Sequence, residues 1–166
     1  MSETIEKRLS DLGVTLPVAA APAANYVTYA FSGKLLFTSG QLPFKDGKLV
    51  ATGLLGRDLD VAAGREAAKY CAANVLAQAK AALDGDLGRI ARVVKITVFV
   101  ASTPDFSEQH LVANGASDLI VPALGAMLPL AELLLLVVAV VAGFYGAARM
   151  RHRVGAADEA LQAAAA

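Results

Sequence analysis

The sequence predicts an α+β fold, a sheet with helices packed on one face. Three observations carry that reading. Residues 26–41 and 92–100 are rich in Tyr, Val, Thr, Ile and Phe, which fit a pleated, half-buried surface. Residues 60–83 and 107–120 instead place apolar side chains at helical spacing. The elements run in the order strand pair, hairpin, helix, strand, helix, which suits helices gathered on one side of a sheet.

Ile5, Leu9 and Leu12 recur at helical spacing, with Ser2 as N-cap and Gly13 as stop. Residues 14–25, with Pro17 and Pro22, form an extended connector. Two short β segments come next in 26–41, broken at Ser32 and Gly33 and ending in a tight turn at Ser39, Gly40 and Gln41. Asp46 and Gly47 tolerate positive φ, so a hairpin returns through residues 48–51, and 52–59 is a loop. Asp60 caps a long helix reaching Leu83, whose stripe is Val61, Arg65, Ala68, Ala72, Val75, Ala79 and Ala82. Built mostly of alanine, that stripe permits close approach to a sheet. Cys71 beside it reads as a small buried apolar residue, because no neighbouring cation lowers its pKa.

Asp84, Gly85 and Asp86 end the helix. In residues 92–100 strict alternation sends Val94, Ile96, Val98 and Val100 to the core face. Val93, Lys95, Thr97 and Phe99 take the other face. A turn at 102–105 leads to a helix capped by Ser107 and interrupted at Asn114 and Gly115.

The chain has 166 residues with 15 basic and 15 acidic side chains, a balance that gives no electrostatic footprint for nucleic acid. Residues 1–121 hold 12 of each sign, so the balance is also local. One cysteine excludes an internal disulfide and fits a reducing, cytoplasmic setting. His110 and His152 are too few and too separated for a metal centre. Neither a Ser/His/Asp order nor a phosphate loop stands out.

Three blocks resemble the RidA (YjgF-type) family of imine/enamine deaminases. They are Asn25 and Tyr26 through Gly33 into Ser39, Gly40, Gln41, Leu42 and Pro43; the strand 93–100 closed by Pro104, Asp105 and Phe106; and residues 112–119, Val-Ala-Asn-Gly-Ala-Ser-Asp-Leu. The resemblance implies a chorismate-mutase-like fold over residues 1–121, assembled as a homotrimer. Clefts between its subunits would bind small imino or keto acids, and active members hydrolyse 2-imino acids without metal or organic cofactor. Tyr26, Ser39 and Gly40 would line the cleft, with Gln41 offering hydrogen bonds and Asn114 nearby. Read from the residues alone, these positions serve strand packing or strand closure as well as ligand contact.

After Val121 the sequence leaves the family pattern, which continues with an Arg-Ser-Ala-Val-Gly-Val-type strand and a Val-Glu-Val-Glu-type strand. The arginine would anchor the substrate carboxylate, and it has no counterpart here. Residues 130–148 instead carry one charge, Glu132, with no amphipathic period. Nineteen residues make about 28 Å of helix, close to the hydrocarbon thickness of a bilayer. Phe144, Tyr145, Arg149, Arg151 and Arg153 supply an aromatic and basic flank.

Residues 122–150 therefore predict a long hydrophobic helix that replaces the closing strands and contacts a membrane through 123–148. A buried core helix and an interfacial helix are the alternatives, and 151–166 form a polar, alanine-rich tail. Such an abrupt change of composition also fits a fusion or an altered reading frame. Three functions are consistent with this sequence: a 2-imino acid deaminase, a non-catalytic small-molecule binder, or a membrane-attached chain with a passenger domain.

Overall fold

Residues 4–22, 25–124 and 133–138 are described by the computed structural model. Helix α1 (Ile5–Asp11) is capped by Thr4, whose hydroxyl accepts from the Lys7 amide at 3.2 Å; Ser2 lies outside the described residues. Its apolar side chains Ile5 and Leu9 are buried, and Gly13 leaves the helix at φ +67°. Strands β1 (Tyr29–Ser32) and β2 (Leu35–Thr38) pair antiparallel across the Gly33 turn, as the sequence predicts. The small hairpin β3 (Phe44–Lys45) and β4 (Lys48–Leu49) turns through Asp46 and Gly47, both at positive φ, as in a type I′ turn.

Helix α2 (Val61–Ala82) begins where Asp60 accepts from the Ala63 amide at 2.8 Å. Ala68, Ala72, Val75 and Ala79 of the predicted stripe are buried, but so are Ala67, Cys71, Leu76 and Gln78. The helix is therefore covered on more than one side. Arg65 is the exception in the stripe: it is half exposed and pairs with Asp118 at 2.7 Å.

Strand β5 (Ile90–Thr97) starts two residues earlier than expected, and its alternation breaks. The register against the neighbouring strand shifts between Val93 and Lys95, a bulge that inserts one residue. Val93 therefore packs on the core beside Ile96, Val98 and Val100, while Val94 is exposed. Expecting Val94 on the core face was wrong by that one residue.

Helix α3 (Gln109–Leu124) begins two residues after Ser107 and runs without interruption through Asn114 and Gly115. Gly115 is not a break in it. A methyl group there would overlap the Arg65 carbonyl, so glycine is what lets α3 lie directly on α2. At its C-terminal end Arg8 donates to the carbonyls of Ala123 at 2.8 Å and Leu124 at 3.1 Å. These are carbonyls that a helix end leaves without partners, and a cation there also opposes the helix dipole.

The largest departure from expectation lies beyond α3. Leu133–Val138, from the middle of the predicted hydrophobic helix, is strand β6. It runs parallel to β2, with Leu36 beside Leu135, and parallel to β5, with Ile96 beside Val137. The sheet order is β1-β2-β6-β5, so β6 is a central strand joined to β5 through α3 as a β-α-β unit. A long hydrophobic helix in place of the closing strands is thus overturned at this segment. A central parallel strand reads as a continuous apolar run, because both of its faces are ordinarily covered, and periodicity cannot tell such a run from a buried or membrane helix.

Among the described residues no helix is long and apolar enough to cross a membrane. The remainder of the predicted span, and the tail 151–166, lie outside the described residues. One core unites Leu36 of β2, Leu55, the buried face of α2, Val112, Ala116 and Ile120 of α3, and Ile5 and Leu9 of α1.

Candidate functional site

The turn after β2 is built from the backbone outward. The Ser39 amide donates to the Thr28 carbonyl at 2.9 Å, and its hydroxyl donates to the same oxygen at 3.1 Å. Both bonds tie the end of β2 to the segment entering β1, two residues after Tyr26. Gln41, almost wholly buried, folds back so that Nε2 donates to the Ser39 carbonyl at 3.3 Å and approaches its hydroxyl oxygen at 3.5 Å. Gly40 sits between them, half buried. Tyr26 is 44% exposed, so its ring stands at the rim and not in the core.

Next to this turn, Thr38 is buried and its hydroxyl finds no partner among the described residues. Such an atom is costly to bury and is the kind that a water or ligand group satisfies.

Three of the five predicted residues, Ser39, Gly40 and Gln41, therefore belong to one strand end, and Tyr26 precedes by two residues the Thr28 carbonyl that this end is bonded to. Asn114 lies on a different element, α3. It is exposed on α3, where its carbonyl accepts from the Ser117 hydroxyl at 3.1 Å. The neighbouring Gly115 lines a cleft of about 430 Å³ on the helical layer together with Leu12, Arg65, Glu66, Lys69 and Asp118. The Arg65–Asp118 pair lines that cleft, and it includes none of Tyr26, Ser39, Gly40 or Gln41.

The loop after the turn is held by groups that carry no motif in the sequence. Asn74 of α2 donates through Nδ2 to the carbonyls of Leu42 at 2.8 Å and Phe44 at 3.1 Å. Lys45 lies 5.5 Å from the centre of the Tyr70 ring, a second tie between the hairpin and α2. A polar side chain at position 74 of an alanine-rich helix face was the available signal. Cys71, one turn before Asn74 on the same helix, is fully buried, and burial pushes its thiol up to about 12. It has no thiolate to offer at neutral pH. Among the described residues no group of His, Cys, Asp and Glu is placed to hold a metal ion.

Comparisons with known proteins bear on this geometry. The family described as "YjgF/chorismate mutase-like, putative endoribonuclease" matches residues 6–135, reaching into β6. Protein TCP17 of Trypanosoma cruzi is 53% identical over 124 residues, covering 75% of this chain and 77% of that protein. The crystal structure of Atu1372 from Agrobacterium tumefaciens, a protein of unknown function, superposes with a TM-score of 0.69 at 51% identity. It covers 83% of this chain and 82% of its own. A "putative endoribonuclease" of Shewanella oneidensis MR-1 gives a TM-score of 0.71 at 34% identity, over 82% of this chain and 88% of that one. The sheet with β6 at its centre, the helices on one face and a match spanning most of the length together make this chain a member of the YjgF/chorismate mutase-like family.

Proposed function

We propose that this protein is a cofactor-free RidA-type deaminase of small 2-imino acids, acting in clefts between the subunits of a homotrimer. The observation that carries this reading is the strand-end turn, where hydrogen bonds fix Ser39 and Gln41 on either side of Gly40 and tie them to Thr28, two residues after the exposed Tyr26. Ser39 commits its proton to Thr28 O, and beside the long 3.5 Å approach of Gln41 Nε2 its oxygen keeps a lone pair as an acceptor for an imine N–H or an attacking water. Water adds to the C=N carbon, the tetrahedral adduct expels ammonia, and a 2-keto acid remains. Such chemistry asks mainly for positioning, and preformed hydrogen-bond geometry supplies it. Exposed Val94 and Phe99 are an apolar surface that subunit association would cover.

The test is release of ammonia from 2-aminoacrylate generated in place, measured against the uncatalysed rate. Acceleration that scales with protein concentration is expected; a rate equal to the background contradicts the reading.

One observation favours a second reading. The described part of β6 is Leu-Leu-Leu-Leu-Val-Val, without the guanidinium that would grip the substrate carboxylate bidentately. A binder without turnover would hold 2-keto acids saturably in calorimetry while leaving 2-aminoacrylate at its background rate. The ribonuclease activity named in the family description has less support, since the balanced charge gives no bulk electrostatic attraction for a phosphate backbone.

A further inference from the structure

We propose that Asn74 is the positioning residue of the candidate cleft, holding the Ser39–Gly40–Gln41 turn at its working height through the loop 42–44. This rests on the reading of that turn as the binding site. The side-chain amide of Asn74 has two N–H groups, and both are used, one on the Leu42 carbonyl at 2.8 Å and one on the Phe44 carbonyl at 3.1 Å. Beside Asn74, the loop meets the helices through the buried Pro43 and through Lys45, which lies over the Tyr70 ring, but neither of these holds a backbone carbonyl of 42–44. The Phe44 amide donates back to Leu42 O at 2.8 Å and the Val50 amide to Pro43 O at 3.0 Å, backbone bonds that stay within the loop and its hairpin.

Asn74 therefore couples the rigid, buried body of α2 to the backbone one residue beyond Gln41. A carboxylate at this position would face two carbonyl oxygens and repel both, and an alanine would leave both without their side-chain donor. The same helix provides a matched control one turn away. Gln78 is buried and donates through Nε2 to the Ala20 carbonyl at 2.7 Å, a comparable clamp on the connector, away from the turn.

The experiment compares Asn74→Ala, Asn74→Asp and Gln78→Ala in the full chain. It uses calorimetry with pyruvate and 2-oxobutyrate as probes, thermal unfolding, and hydrogen exchange of peptides covering 38–44. Binding is expected to weaken at least tenfold in both Asn74 variants and to stay within twofold in Gln78→Ala, although all three lower Tm. Equal weakening in Gln78→Ala and Asn74→Ala would overturn the proposal, because loss of stability alone would then explain it. If the unaltered protein binds neither probe, the functional reading of the turn fails. Exchange then decides the positioning claim by itself: faster exchange at 38–44 in Asn74→Ala, and not in Gln78→Ala, upholds it, and unchanged exchange overturns it.

Discussion

Cys71 and Asp58 show how neighbours set the behaviour of a side chain. Burial holds the Cys71 thiol near 12, so a thiol-selective reagent at pH 8 is expected to label the native protein only as fast as it unfolds. Labelling in native buffer at the rate of a small free thiol would contradict that placement. Asp58 moves the other way. The Arg57 guanidinium, with bonds of 2.9 and 2.7 Å, and the Leu54 amide at 2.9 Å hold its carboxyl down to about 2 from an ordinary 3.8. A group whose folded pKa is lowered stabilises above its unfolded pKa and loses that contribution as pH falls through the folded value. Stability should therefore decline between about pH 4 and pH 2 partly through Asp58, a slope that Asp58→Asn makes shallower in acid unfolding curves. An identical slope in the variant would remove Asp58 from that account.

At the scale of elements, the contact of α2 with α3 depends on one missing methyl. Gly115→Ala must push the helices apart or bend α3, an overpacking cost of about 1–3 kcal/mol. Urea unfolding is expected to show a lower midpoint at an unchanged slope. A midpoint within error of the parent would mean that the helices part without cost. The elements also show what the sequence made legible. Asp60 as a cap, the Asp46–Gly47 turn and the Gly33 break are local signals, each fixed by the conformational range or hydrogen bonding of one or two residues. The β5 bulge was hidden because Val93 and Val94 are chemically identical, so nothing in the residues tells which of them faces the core. Asn114 and Gly115 read as a helix interruption because glycine ordinarily weakens a helix, whereas here close packing requires it.

Across the whole molecule the same limit explains the largest miss. The turn at Ser39, Gly40 and Gln41 was visible as a motif, but the strand beside β2 was not, because an apolar run carries no period that separates a central parallel strand from a helix. Tertiary pairing with β2 and β5 decides it. Leu135→Pro removes an amide from the centre of that ladder and should cost on the order of 3 kcal/mol or more. That is a large share of the roughly 5–15 kcal/mol that a domain commonly has. Unfolding far below the parent midpoint is expected, and an unchanged transition would detach Leu133–Val138 from the sheet.

The proposed function rests on whether a small keto acid binds at the strand-end turn. The most direct measurement is a titration of the isotopically labelled protein with pyruvate, monitored through the backbone amide signals. Saturable shifts centred on Ser39, Gly40 and Gln41 are the predicted result; shifts centred on the Arg65–Asp118 cleft, or none at all, would contradict it.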